Sequence, residues 1–168
     1  MKTYLLFSDS HGAARTMLSV ISAQPNVDGI LFMGDGLSDL ALVAELYPAL
    51  PIYAVRGNCD WTLHGINSPK EQLIDLFGHK LFLTHGHLYQ AKQTLEHLAE
   101  KGISLGAEAV LFGHTHTPYD MFCRVQSDGP LIHLFNPGSI GTSATHLACF
   151  GLLQIGNQGL LFSHGQAK

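Results

Sequence analysis

The segment AVLFGHTHTP, residues 109–118, runs from apolar residues through Gly113 into His114 and His116, one residue apart. Two imidazoles at this spacing are either histidines packed at a strand end or donors to a metal ion, and the pair alone does not decide. Four other apolar runs end in comparable chemistry: TYLLF leads to Asp9 and His11, GILFM to Asp35, PIYAV to Asn58 and KLFLT to His85. Imidazole nitrogen, carboxylate and amide oxygen form a mixed donor set for borderline divalent ions such as Mn²⁺, Fe²⁺, Zn²⁺ or Ni²⁺. Seven such side chains exceed one tetrahedral site. They suit two ions about 3.5–4 Å apart, bridged by one carboxylate.

Charge extends the argument. Two dications with Asp9, Asp35 and a bridging hydroxide keep one net positive charge, in a chain whose formal charge is -4. Such a centre attracts phosphate and stabilises the negative charge that develops when a phosphate ester is attacked. A water shared by two metals is deprotonated near neutral pH and becomes the nucleophile. Each residue also has an ordinary alternative: Asp9 as turn or N-cap chemistry, Asp35 as a tight turn between two glycines, Asn58 as a turn residue after Gly57, and His85 and His87 as hydrogen-bonded loop histidines. Those alternatives weaken together, because five separate strand ends would each need one.

The elements that must position these side chains can be read from periodicity. TYLLF, GILFM and PIYAV read as strands, separated by two amphipathic helices. The first helix carries Ala14, Met17, Leu18 and Ile21 on one face; the second has Ser38 as its cap, Leu40, Val43, Leu46 and Tyr47 as its face, and Pro48 as its stop. This βαβαβ order predicts a parallel sheet, and ligands in open α/β sheets lie beyond the carboxyl ends of the strands. After residue 70 the pattern changes. EQLIDLF and KLFLT predict a hairpin, Leu88, Ala91, Leu95 and Leu98 one further helix with Gly102 near its end, and AVLF a strand. YDMFCRVQ with LIHLF, and HLACFGLLQI with LLFSH, predict two more hairpins. The expectation is α/β in the first half and α+β in the second, with two packed sheets and helices outside, in one domain over residues 1–168.

Composition narrows the function classes. At 168 residues the chain can bury about two-thirds of its unfolded surface. Nine Lys plus Arg give no basic face for extended nucleic acid. The apolar run near the N-terminus stops at Phe7, too short for a signal peptide or a membrane span, so a reducing cytoplasm is expected. Cys59, Cys123 and Cys149 are an odd number without CxxC spacing, which suggests neither a disulfide framework nor a thiolate zinc knuckle.

The set DSH (9–11), GDGLSD (34–39), GNCD (57–60), THGH (84–87) and GHTH (113–116) resembles the calcineurin-like metallophosphoesterase superfamily, and NPGSIG (136–141) is similar to its closing motif. The resemblance covers residues 1 to about 141. It implies a four-layer αββα sandwich of two mixed sheets flanked by helices. It also implies Asp9, His11 and His116 on one metal, Asn58, His85 and His114 on a second, and Asp35 bridging them. The activity implied is hydrolysis of phosphodiesters, with monoesters a second substrate class, by in-line attack of the bridging hydroxide. Two divalent ions are expected, Mn²⁺ first with Fe²⁺, Zn²⁺ or Ni²⁺ as alternatives, and a small phosphate ester is the expected substrate. Related small members often form homodimers or higher assemblies.

The chain departs from the common pattern at Cys59, where many members carry a histidine that assists the transition state or the leaving group. Here it resembles the small bacterial and archaeal subgroup with GNCD, typically phosphodiesterases active on artificial aryl phosphodiesters. A neutral thiol is a poor acid at pH 7, which leaves His87 as the nearest candidate for leaving-group assistance. Other residues carry structural expectations. Arg56 pairs with Asp60, Asp39 serves the first turn of the second helix, and His133, His146 and His164 are surface or packing residues. His64, near Trp61, is a candidate for the cleft edge. The alternative function is a non-catalytic or weakly catalytic, metal-binding protein-interaction scaffold of the same fold, since the superfamily includes a retromer subunit of similar size that works mainly as a binding surface. A nuclease of this superfamily would generally be larger, with DNA-contacting additions.

Overall fold

The computed structural model describes residues 1–61, 67–141 and 147–167. Strands β1 (Lys2–Phe7), β2 (Gly29–Phe32) and β3 (Ile52–Ala54) pair in parallel, with Leu5 opposite Ile30 and Leu31 opposite Tyr53. β1 and β2 are apolar on both faces because each face meets a different layer. Leu5, Phe7, Ile30 and Phe32 pack against helices α1 (Ala14–Ala23) and α2 (Leu37–Leu46). Tyr4, Leu6 and Leu31 point into the space between two sheets.

The second half supplies β4 (Glu71–Leu76), β5 (His79–Thr84), α3 (Glu96–Ser104), β6 (Ala109–Leu111), β7 (Tyr119–Cys123) and β8 (Ile132–Asn136). It ends with β9 (Cys149–Gly156) and β10 (Gly159–Gln166). Two five-stranded sheets result, in the orders β10-β9-β1-β2-β3 and β4-β5-β6-β8-β7. In the first, β1, β2 and β3 are parallel and β9 and β10 add antiparallel on the β1 side; in the second, a parallel centre of β5, β6 and β8 is flanked by antiparallel β4 and β7. Leu81, Leu83, Leu111 and Phe135 meet Leu6, Leu31 and Leu153 between the sheets, while α3 covers Phe82, Val110 and Leu134 on the outer face. The order of layers is helix, sheet, sheet, helix: the four-layer sandwich of two mixed sheets that the motifs implied.

Three local expectations need correction. Ser38 does not cap α2; Gly36 occupies that position, and no side chain of its own segment caps it. The cap comes from outside, because Asp60 accepts the N–H groups of Gly36 and Leu37, which sequence-local capping rules do not register. Leu46 is not on the buried face; it is 63 % exposed, while Leu40 and Val43 are buried. The single helix expected from Leu88 to Leu98 is split into a 3-10 turn at His87–Tyr89 and α3 from Glu96. Gly86 and Gln90, both left-handed, bracket the turn and stop helical propagation. Gly102 lies near the end of α3, as expected, and faces Val110 and Ile132.

Candidate metal centre

The loops after β1, β2, β3, β5 and β6 meet at one edge of the sandwich, as expected for carboxyl ends of parallel strands. Their backbones are held in a sparsely populated conformation. Asp9, His11, Asp35, His114 and His116 all have φ between 43° and 66°, the left-handed region that L-residues with side chains avoid. Strain of about 1–3 kcal/mol at each persists only where the surroundings over-determine it, and it concentrates at functional sites. Periodicity contains no signal for it. Two glycines permit the close approach: a Cβ at Gly57 would lie 2.0 Å from Asp35 Oδ1, and one at Gly113 would lie 1.8 Å from Ser8 Oγ.

Asp9 is fully buried and divides its labour. Its Oδ2 accepts from Ser8 Oγ (2.5 Å) and from the His114 N–H (3.0 Å). Among the described residues its Oδ1 has no hydrogen-bond partner. That oxygen lies 3.1 Å from His116 Nε2, 3.8 Å from His11 Nε2 and 3.9 Å from His85 Nε2. His85, also fully buried, donates from Nδ1 to the Met33 carbonyl at 2.7 Å. This fixes the tautomer that turns an Nε2 lone pair inward. Asp35 Oδ2 is 3.2 Å from His85 Nε2 and 4.0 Å from His11 Nε2, while Oδ1 accepts the Cys59 N–H at 2.7 Å.

Five of the seven expected donors therefore come together, with His11, His85 and His116 around the carboxylates of Asp9 and Asp35. The His114 ring stands edge-on to that of His85, centroids 5.0 Å apart, and His11 and His116 are 5.2 Å apart. Asn58 is exposed in the loop whose Gly57 and Cys59 flank Asp35. Its Nδ2 donates to Cys59 Sγ at 3.3 Å. His87 lies 5.3 Å from the His85 ring and 6.2 Å from His114, with Nδ1 buried and unpartnered. A cleft of about 750 Å³ opens beside His11 and His116, bordered by Arg15, Thr16 and Ser139. That volume is within the usual range for a small-molecule site.

The supporting residues were mostly missed by sequence reasoning. Asp60 does not pair with Arg56 among the described residues. Its carboxylate instead accepts four backbone N–H groups, from Asp35, Gly36, Leu37 and Gly57, each at 2.8–2.9 Å. Asp39 sits in the first turn of α2 as expected, and it also ties that helix to the Asp9 loop by accepting from Ser10 Oγ and the Gly12 N–H. Asn136 holds the GHTH loop through Gly113 O and Thr115 Oγ1, and Ser139 Oγ donates to Asp9 O. The NPGSIG match was the one sequence signal for these last two. His133 packs between Phe122 and Phe162, and His164 stacks on Phe135, as expected of packing residues. His64 and His146 lie outside the described residues.

Charge around the centre is strongly coupled. Burial opposes ionisation of Asp35, yet His85 and the Cys59 N–H hold its carboxyl far below the usual carboxylate range. Burial likewise opposes the charged form of His85, but Asp35 and Asp9 hold its pKa above the usual value. His114 is pushed down to about 4 by burial and then by His85. The same two causes lower His87. Burial, followed by the Asp35 carboxylate, raises the Cys59 thiol.

These features fit a divalent cation. Among the described residues, Asp9 Oδ1 and His85 Nε2 are buried, inward-facing donor atoms with no hydrogen-bond partner. Three overlapping groups could hold an ion: Asp9, His11 and His116; Asp9, Asp35 and His85; and His11, Asp35 and Cys59.

Comparison with known proteins agrees with the geometry. The chain is 36 % identical over 139 residues to the probable metallophosphoesterase YsnB of Bacillus subtilis, covering 81 % of this chain and 73 % of that one. It is 31 % identical to the phosphodiesterase YfcE of Escherichia coli, covering 91 % and 88 %. The fold is shared with a predicted phosphoesterase from Streptococcus pneumoniae TIGR4 (24 % identity, TM-score 0.77, 98 % and 89 % coverage). It is shared too with Vps29 from Entamoeba histolytica, solved in complex with Zn²⁺ (18 %, 0.69, 98 % of both chains). At these two identities the likeness is one of fold alone. The calcineurin-like phosphoesterase superfamily domain matches residues 1–165, and with the curated relatives and the clustered Asp and His donors it places the chain in that family.

Proposed function

We propose that the chain, as one catalytic domain, is a two-metal phosphodiesterase acting on small phosphate esters. Asp9, His11 and His116 would hold one ion, Asn58, His85 and His114 the other, and Asp35 would bridge them. The observation that carries this reading is the pair of buried, unpartnered atoms Asp9 Oδ1 and His85 Nε2, 3.9 Å apart and facing the same space. When bound, two divalent ions supply a deprotonated water as nucleophile and offset charge on the phosphoryl oxygens.

The protein's own groups do the rest. Met33 O fixes the His85 tautomer, so that its donor nitrogen needs no rearrangement on binding. The Cys59 N–H holds one oxygen of Asp35, leaving Oδ2 directed at His85 and His11. The cleft beside His116 admits the ester, and His87, its ring 5.3 Å from that of His85, is the side chain assigned to leaving-group assistance. A metal-binding scaffold would share the unpartnered buried donors, so cleavage of a phosphodiester is what separates the two readings. None of the described helices is long and apolar enough to cross a membrane.

The test is to purify the protein without chelator, quantify bound metal, and assay bis(p-nitrophenyl) phosphate against p-nitrophenyl phosphate with and without Mn²⁺. The diester should be preferred, Asp35→Asn should lose nearly all activity, and His87→Ala should lose most on poor leaving groups. A metal-free protein that cleaves neither compound with any divalent ion would overturn the enzyme reading and favour the scaffold.

A further inference from the structure

Of the three donor groups, one contains a residue outside the proposed ligand set. In the group His11, Asp35 and Cys59 the donor atoms all lie within 4.8 Å of one another. Donors about 2.0–2.3 Å from a tetrahedral zinc are about 3.3–3.8 Å apart, so only a small contraction is needed for one ion to engage all three. His11 and Asp35 are both assigned above to the first ion, which places Cys59 Sγ beside that same ion.

We propose that Cys59 is a further donor to the first ion, and that it biases this position toward a thiophilic dication, Zn²⁺ or Co²⁺, over Mn²⁺. The inference rests on the two-metal reading. Three observations converge on it. The Cys59 N–H is bonded to Asp35 Oδ1, so the sulfur is carried by the carboxylate that would bridge the ions. The Asn58 amide donates to Sγ at 3.3 Å, and the thiol is in hydrogen-bond contact with the Asp35 carboxylate, which puts the sulfur against the proposed bridging group. The side chain is exposed, so an ion reaches it without opening the fold. Cys123 and Cys149 lie in β7 and β9, and neither belongs to such a group among the described residues.

The chemistry follows from donor softness. The remaining donors are nitrogen and oxygen, which accept Mn²⁺ readily, whereas sulfur discriminates in favour of zinc and cobalt. On binding, the thiol proton is released to solvent and the sulfur becomes a ligand. The two ion positions then differ: an outer one of mixed sulfur, nitrogen and oxygen, and an inner one around Asn58, His85 and His114 without sulfur.

Cobalt reads this out directly. Chelator-stripped protein titrated with Co²⁺ should develop a near-ultraviolet sulfur-to-cobalt charge-transfer band together with its visible d–d bands. Cys59→Ser should lose the charge-transfer band but keep the d–d bands, whereas Cys123→Ser and Cys149→Ser should retain both. In direct competition, wild-type preference for Zn²⁺ over Mn²⁺ should exceed that of Cys59→Ser by about tenfold or more. Bound cobalt with identical spectra in wild type and Cys59→Ser would overturn this inference and leave the two-metal reading standing. Failure to bind cobalt at all would overturn both.

Discussion

Asp9, after β1, and Asp60, after β3, carry the same carboxylate, yet their surroundings are opposite. Asp60 is surrounded by four backbone N–H donors at the start of α2, and no lone pair is needed elsewhere. Asp9 gives one oxygen to Ser8 and His114 and leaves the other buried without a partner. The first arrangement is what stability selects, because a charged acceptor with several donors gains about 1.5–3 kcal/mol for each bond. The second costs stability, which makes sense where a ligand completes the set. Where a carboxylate's acceptors are satisfied distinguishes a structural clamp from a binding atom even when the residue type does not.

Exchanging one residue in each region should break stability and activity apart. Asp9→Asn keeps an oxygen for Ser8 and His114 while removing the inward charge. It should lower diesterase activity by about a thousandfold with little change in Tm. Asp60→Ala should do the reverse, lowering stability by about 2–4 kcal/mol and Tm by about 5–15 °C, with activity surviving in the folded fraction. Equal loss of Tm in both variants would erase the distinction drawn between the two carboxylates.

A smaller effect is expected with pH in chelator-treated protein. A histidine whose folded pKa is depressed binds more protons when unfolded, so stability falls as pH drops through the gap. For His114 that window runs from the ordinary value of about 6.5 down to about 4, and the lowered His87 acts in the same direction. The raised His85 opposes them, contributing stability below about 6.5 that is lost as pH rises through its higher folded value. Replacing His114 with Asn should therefore flatten the Tm decline between pH 6.5 and 4, as measured by thermal unfolding across that range.

The same contrast explains what was legible in the sequence. Strand ends followed by Asp, His or Asn were visible as a pattern, and the convergence of Asp9, His11, Asp35, His85 and His116 followed from parallel topology. The clamp was not visible, because Asp60 caps a helix that begins 23 residues earlier in the chain. Side-chain capping was assigned to Ser38, the nearest residue of the right type, and a tertiary contact replaced it. The expected third helix failed for a related reason. Leu88, Ala91, Leu95 and Leu98 have helical spacing, but left-handed Gly86 and Gln90 bend the chain as it leaves the site. Left-handed backbone at Asp9, His11, Asp35, His114 and His116 could not be inferred from residue type, because even Asp and His, which are enriched there, adopt it in only a minority of positions.

The most direct measurement is metal content at saturation, by mass spectrometry of protein equilibrated with Mn²⁺ or Zn²⁺ and freed of excess. The account predicts about two ions per chain in the wild type and fewer in Asp9→Asn, whose orphaned oxygen has lost its charge. Wild type and Asp9→Asn binding the same number of ions, or neither binding any, would contradict it.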